Sequence, residues 1–152
     1  MKKYVIVLTT FLMFTNNLCF AVENTKLLLE KNGKEYTKCQ HFFENEKQNC
    51  QESWSMKCYN YLISLNQKAQ DCYVNVAKNI FAEFYGQSEE KTSEKMAEYI
   101  KFMYEQYLFI YRDTNFCKKN NCGISPYLYS EYATTHAVED YVFKALKSVE
   151  TR

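Results

Sequence analysis

Three glycines and a single proline in 152 residues leave little material for tight turns, and a fold of many short strands needs such turns. The chain also lacks the short motifs that mark common enzyme chemistries. There is no glycine-rich phosphate loop, no HExxH, no G-x-S-x-G and no paired-carboxylate signature. Its two histidines, His41 and His136, stand without an obvious nucleophile partner, so no catalytic residue and no cofactor is assigned. Charge of one sign is missing too. The formal net charge is +1, and −1 without residues 1–21, which hold two lysines and no acid, so there is no general attraction to nucleic acid or to an anionic membrane surface.

One apolar run stands out, at the very start. Lys2 and Lys3 precede the apolar stretch from Val5 to Phe14, which has the length of a signal-peptide core and is short for a bilayer span. Cys19 and Ala21 are small residues at the −3 and −1 positions of a cut after Ala21. Residues 1–21 therefore read as a signal peptide, and residues 22–152 as a single domain with no second hydrophobic span. The expected location is the periplasm or the extracellular medium, with no stable membrane insertion after cleavage.

Cleavage removes one of seven cysteines and leaves Cys39, Cys50, Cys58, Cys72, Cys117 and Cys122. An even count in an exported chain reads as disulfides. Zinc is the competing use, through Cys39 with His41, or Cys117 and Cys122 with His136. These spacings match no standard zinc module, so no metal is assigned. Six cysteines permit fifteen connectivities. Cys117 and Cys122 are close enough to form a local staple.

The apolar pattern is helical. From Trp54 onward, Cys58, Tyr61, Leu62, Leu65, Ala69, Cys72, Tyr73, Val76, Ile80 and Phe84 form one stripe in steps of three and four. Gly86 sits where the residue after a helix end belongs, and Ser88 can cap the next helix, with Glu89 and Glu90 in its first turn. That helix carries the stripe Met96, Tyr99, Ile100, Met103, Tyr107, Ile110 and Tyr111. Ser125-Pro126 is a start signal for a last helix bearing Leu128, Tyr132, Thr135, Val138, Val142, Ala145, Leu146 and Val149. Earlier, residues 24–31 read as a short helix or turn ended by Asn32-Gly33. Residues 35–51 read as a further helix with Tyr36, Cys39, Phe42, Phe43 and Glu46 on one side. The predicted fold is all-α: a small disulfide-stapled bundle of three long helices plus one or two short ones.

The chain has fourteen tyrosines, many of them on the predicted inner faces, with Tyr104 and Tyr129 pointing outward. Tyrosine offers a large apolar body and a hydroxyl that needs a partner. Near the C-terminal end, YLFIYRDTNFCKKNNCGISP places Arg112 and Asp113 at the end of an aromatic helix face. Adjacent helical residues point about 100° apart, so the two cannot simply pair with each other. Arg112 is expected to be half-buried, to stack its guanidinium on a ring and to bond carbonyls of another element, tying its helix to its neighbours; a role in ligand binding is the alternative.

The segment 58–146 resembles the LprI-type lysozyme-inhibitor family, small exported helical proteins of bacteria. The resemblance rests on LNQKAQDCY, which ends at Cys72-Tyr73, and on YEQYLFIYRDTNFC, with Tyr111, Arg112, Asp113 and Cys117 in the matching places. Gly123, Ile124, Ser125 and Pro126 then lead the next helix. Leu108 stands where the family has tryptophan, Glu105 where it has glutamine, and Tyr132 where it has its last cysteine. The resemblance implies a Cys58–Cys72 bridge, which would leave Cys39–Cys50. Were Cys58 and Cys72 on one straight helix, they would stand about 21 Å apart and could not bond; Cys58 would then bridge to the N-terminal segment.

The implied function is that of a binding protein, not an enzyme, which inhibits a peptidoglycan-degrading hydrolase such as lysozyme. An immunity protein against a delivered toxin and a non-inhibitory envelope assembly factor are the alternatives. The partner is a protein rather than nucleic acid. Lys118, Lys119, Asn120 and Asn121, between two cysteines, are the candidate contact residues, because two cations and two amides suit carboxylates.

Overall fold

The computed structural model describes residues 26–41, 56–112 and 126–151. Among them are four helices and no strand: α1 (residues 26–41), α2 (Met56–Tyr85), α3 (Glu89–Arg112) and α4 (Pro126–Glu150). The all-α expectation holds. None of the described helices is long and apolar enough to cross a membrane.

The junction of α2 and α3 follows its local signals. Gly86 takes φ 62°, a left-handed conformation that costs other residues a Cβ clash, and the Gln87 N–H reaches back to the Phe81 carbonyl at 3.0 Å. The Ser88 hydroxyl accepts the Lys91 N–H at 3.3 Å, satisfying one of the free donors of the α3 N-terminus. Glu89 and Glu90 lie in the first turn and Arg112 in the last, each complementing the helix dipole.

α2 and α4 run parallel and form the central pair. Asn66 lies beside Thr135 near one end and Tyr85 beside Ser148 near the other. α3 runs antiparallel along one side of α4, with Tyr99 beside Ala137 and Tyr141 and Arg112 beside Tyr127. On another side of α4 lies α1, also antiparallel. Its Tyr36 packs on Phe143 of α4 and Tyr73 of α2. The core these helices share contains Val76, Ala77, Ile80, Met96, Val138, Val142 and Leu146.

Three expectations need correction. First, α1 continues through Asn32-Gly33 instead of breaking there. Asn32 is fully buried, and its Nδ2 donates to the Leu28 carbonyl at 3.0 Å and to Glu83 Oε2 of α2 at 2.7 Å. A tertiary partner thus holds a residue that local propensity would place at a helix end, and offsets the roughly 1 kcal/mol cost of Gly33. The expected positions Phe42, Phe43 and Glu46 lie outside the described residues.

Second, Cys72 bonds Cys39 of α1, with Cα atoms 5.7 Å apart, so neither Cys58–Cys72 nor Cys39–Cys50 exists. Cys58 and Cys72 share the unbroken α2, fourteen residues apart, and helix rise alone separates them by about 21 Å. Cys58 is disulfide-bonded as well, to a cysteine other than these two. Cys50, Cys117 and Cys122 lie outside the described residues.

Third, two stripe residues are not interior: Ile110 is 41 % exposed and Tyr132 37 %. Met96, Met103 and Ile110 repeat every seven residues, and a straight helix drifts about 20° per heptad. By its second heptad the row has turned away from the core.

Candidate functional site

α3 ends where α4 begins, and the aromatic residues of both helices meet there. Arg112, in the last turn of α3, donates from Nη2 to the Tyr127 hydroxyl at 2.6 Å, and its guanidinium carbon stands 5.1 Å from the Tyr127 ring centroid. The ring-stacking arginine is present and ties α3 to α4, but it is exposed rather than half-buried as expected and bonds a side-chain hydroxyl instead of backbone carbonyls. Both partners are exposed, Tyr127 by 43 %. Beside them Tyr111 packs on Tyr129 at 5.1 Å and on Tyr107 at 6.4 Å. Tyr104 and Tyr129, read as outward from the sequence, are half-buried. Burial pushes the Tyr104 and Tyr111 hydroxyls above the ordinary tyrosine pKa; nearby Glu131 adds to the effect at Tyr104.

Inside this end lies a polar network between α2 and α4. Gln70 donates to Glu131 Oε2 at 3.2 Å and to Thr135 Oγ1 at 3.1 Å, and Gln67 reaches Glu131 Oε1 at 3.5 Å. Thr135 in turn donates toward Asn66 Oδ1 at 3.0 Å, and Asn66 donates to the Leu62 carbonyl at 2.8 Å. Asn66, Gln70 and Thr135 are buried. Burial raises the pKa of Glu131, and the donors Gln70 and Gln67 pull it partly back. A second carboxylate on α4, Glu139, gathers Gln40 of α1 at 2.9 Å, the Tyr36 hydroxyl at 3.4 Å and His136 Nδ1 at 3.1 Å. His136 is exposed and its ring meets Tyr132 edge-on at 4.5 Å.

The outer face of α3 carries a third feature. Glu105, Leu108, Phe109 and Arg112 line an open groove of about 470 Å³. Phe109 is 80 % exposed and Phe102, two turns earlier, 57 %.

Of the residues singled out in the sequence, Tyr111 and Arg112 come together at the α3–α4 junction. Asp113, Lys118, Lys119, Asn120 and Asn121 lie outside the described residues. Cys39 is bonded to Cys72 and so cannot join His41 as a metal ligand. No group of three His, Cys, Asp or Glu side chains that could hold a metal is found among the described residues. Sequence reasoning missed Asn66, Gln70 and Glu131, although Asn66 and Gln70 stand four residues apart beside Leu65 and Ala69 of the α2 stripe. It also missed Phe102, Leu108 and Phe109, which fall outside every inner stripe and so should have signalled an apolar outer face. Comparison with known proteins found no matching family model, no matching curated protein and no matching solved structure.

Proposed function

We propose that this chain is an exported, non-catalytic binding protein that inhibits a peptidoglycan-degrading hydrolase such as lysozyme, and that it meets its target at the α3–α4 end. The observation that carries this reading is the exposed Arg112–Tyr127 pair. Arginine and tyrosine are the residue types that most often dominate protein interfaces, and here each holds the other in place before any partner arrives. The Tyr-Arg of the segment that resembles LprI-type lysozyme inhibitors lies at the same spot. The Cys39–Cys72 bridge suits an oxidising compartment.

Lys118 and Lys119 follow a few residues after Arg112 in the chain. A lysozyme-type cleft sets two carboxyl groups on either side of the scissile bond. A lysine entering that gap would pair with them and exclude the sugar. Captured partners should include a muramidase, and the purified protein should inhibit it. The variant Tyr127→Ala combined with Lys118→Ala and Lys119→Ala should inhibit at least about tenfold more weakly with an unchanged circular dichroism spectrum. A wild-type protein that leaves every captured or host muramidase fully active would sink the inhibitory reading.

A further inference from the structure

The outer face of α3 has a pattern that is complementary to itself. Glu105 and Arg112 are seven residues apart, two helical turns, and Leu108 and Phe109 lie midway between them. A two-fold axis passing between Leu108 and Phe109 therefore places Glu105 of one copy opposite Arg112 of the other, twice, and brings the two Phe109–Leu108 pairs together at the centre. That is the condition an isologous interface must satisfy: each residue finds its complement in the same patch on the partner.

The side chains are free to do this. Phe109 and Glu105 are exposed, and Glu105 makes no ion pair among the described residues. Arg112 is already held by Tyr127 through Nη2, which orders its guanidinium and leaves further N–H donors for a carboxylate. A ring as exposed as Phe109 beside an open groove lined by Leu108, Glu105 and Arg112 is both a knob and its own hole. We infer that α3 is a homodimer interface, in which two copies pair antiparallel through Phe109, Leu108 and reciprocal Glu105–Arg112 ion pairs. A contact confined to one helix face is smaller than the standard interface of about 800 Å² per partner, so the dimer is a weak one, with dissociation in the micromolar range.

Sedimentation equilibrium of the protein as the cell processes it, from about 1 to about 500 µM, reads this directly. The expected result is a reversible monomer–dimer equilibrium. Phe109→Asp should abolish it, and Glu105→Arg and Arg112→Glu should each weaken it at least about tenfold by setting like charges opposite each other. The double variant Glu105→Arg with Arg112→Glu exchanges the charges across the two-fold and should restore the dimer. Helical circular dichroism should match the wild type for Phe109→Asp and Glu105→Arg, since both side chains lie on the outer face. A wild type that stays monomeric over the whole range, a dimer indifferent to Phe109→Asp, or a double variant weaker than both single ones would each overturn the proposal. Loss of dimerisation in Phe109→Asp or Glu105→Arg, which leave the Arg112–Tyr127 pair in place, without loss of hydrolase binding would separate this proposal from the one above.

Discussion

Glu131 is an acid that the fold makes less willing to ionise. It sits between α2 and α4 with its carboxylate oxygens facing Gln70 and Gln67, and burial outweighs those two donors. The native state therefore keeps the Glu131 proton to higher pH than the unfolded chain, whose carboxyl titrates near 4.5. In that window the native state binds more protons, so stability falls as pH rises through the raised native pKa and is fully present below the unfolded one. Glu131→Gln removes this loss, because exposed Gln67 can turn its amide over to accept from the new one. Urea unfolding should find the variant more stable than wild type at about pH 7.5 and no more stable at about pH 3.5. Equal stability at neutral pH would mean that the acid is fully solvated and its environment has no energetic effect.

At the scale of an element, the turn from α2 to α3 rests on one backbone conformation. A Cβ added at Gly86 meets nothing within 4 Å, so only the positive φ opposes a side chain there. Gly86→Ala should cost about 1 kcal/mol in urea unfolding, and Gly86→Asn less, since asparagine tolerates the left-handed region. An alanine variant as stable as wild type would mean that the turn relaxes to another conformation. Helix α1 behaves differently. Its anchors are tertiary: Asn32 on Glu83, Gln40 and Tyr36 on Glu139, and Cys39 on Cys72. Burial, aided by the Glu139 charge, pushes the Tyr36 hydroxyl up to about 12 and raises Tyr73 as well, so both rings stay protonated in the native state well into alkaline solution.

For the whole molecule, the Cys39–Cys72 bridge is the covalent tie between α1 and the central pair. It joins residues 33 apart in sequence. Closing a loop of that length removes unfolded-state entropy worth about 3–4 kcal/mol. Replacing both cysteines by alanine should lower stability by that order. Amide exchange should then speed up in α1 first, since α2, α3 and α4 keep their mutual core of Ile80, Met96, Val138 and Val142. An unchanged denaturation midpoint would show that α1 contributes nothing covalent to stability.

Much of this bundle is legible in the chain because helices announce themselves locally. Steps of three and four along α2 and α4 found Leu65, Ala69, Val76, Ile80, Val138, Val142 and Leu146, all of them buried. Gly86, Ser88 and Pro126 mark helix ends through their own backbone chemistry, and the stacking of Arg112 followed from a cation at the end of an aromatic helix. Pairing between distant elements has no such local signal. Cys39 and Cys72 meet because α1 lies antiparallel to α2, and no spacing in the sequence reports that approach. The same holds for Asn32, whose helix-ending tendency yields to Glu83 of another helix, and for Glu131, whose raised pKa exists only once α2 covers it. Periodicity says which side of a helix avoids water. Which partner covers that side, and what the uncovered Phe109 is left to meet, depends on contacts between residues far apart in the chain, and only the tertiary structure sets them.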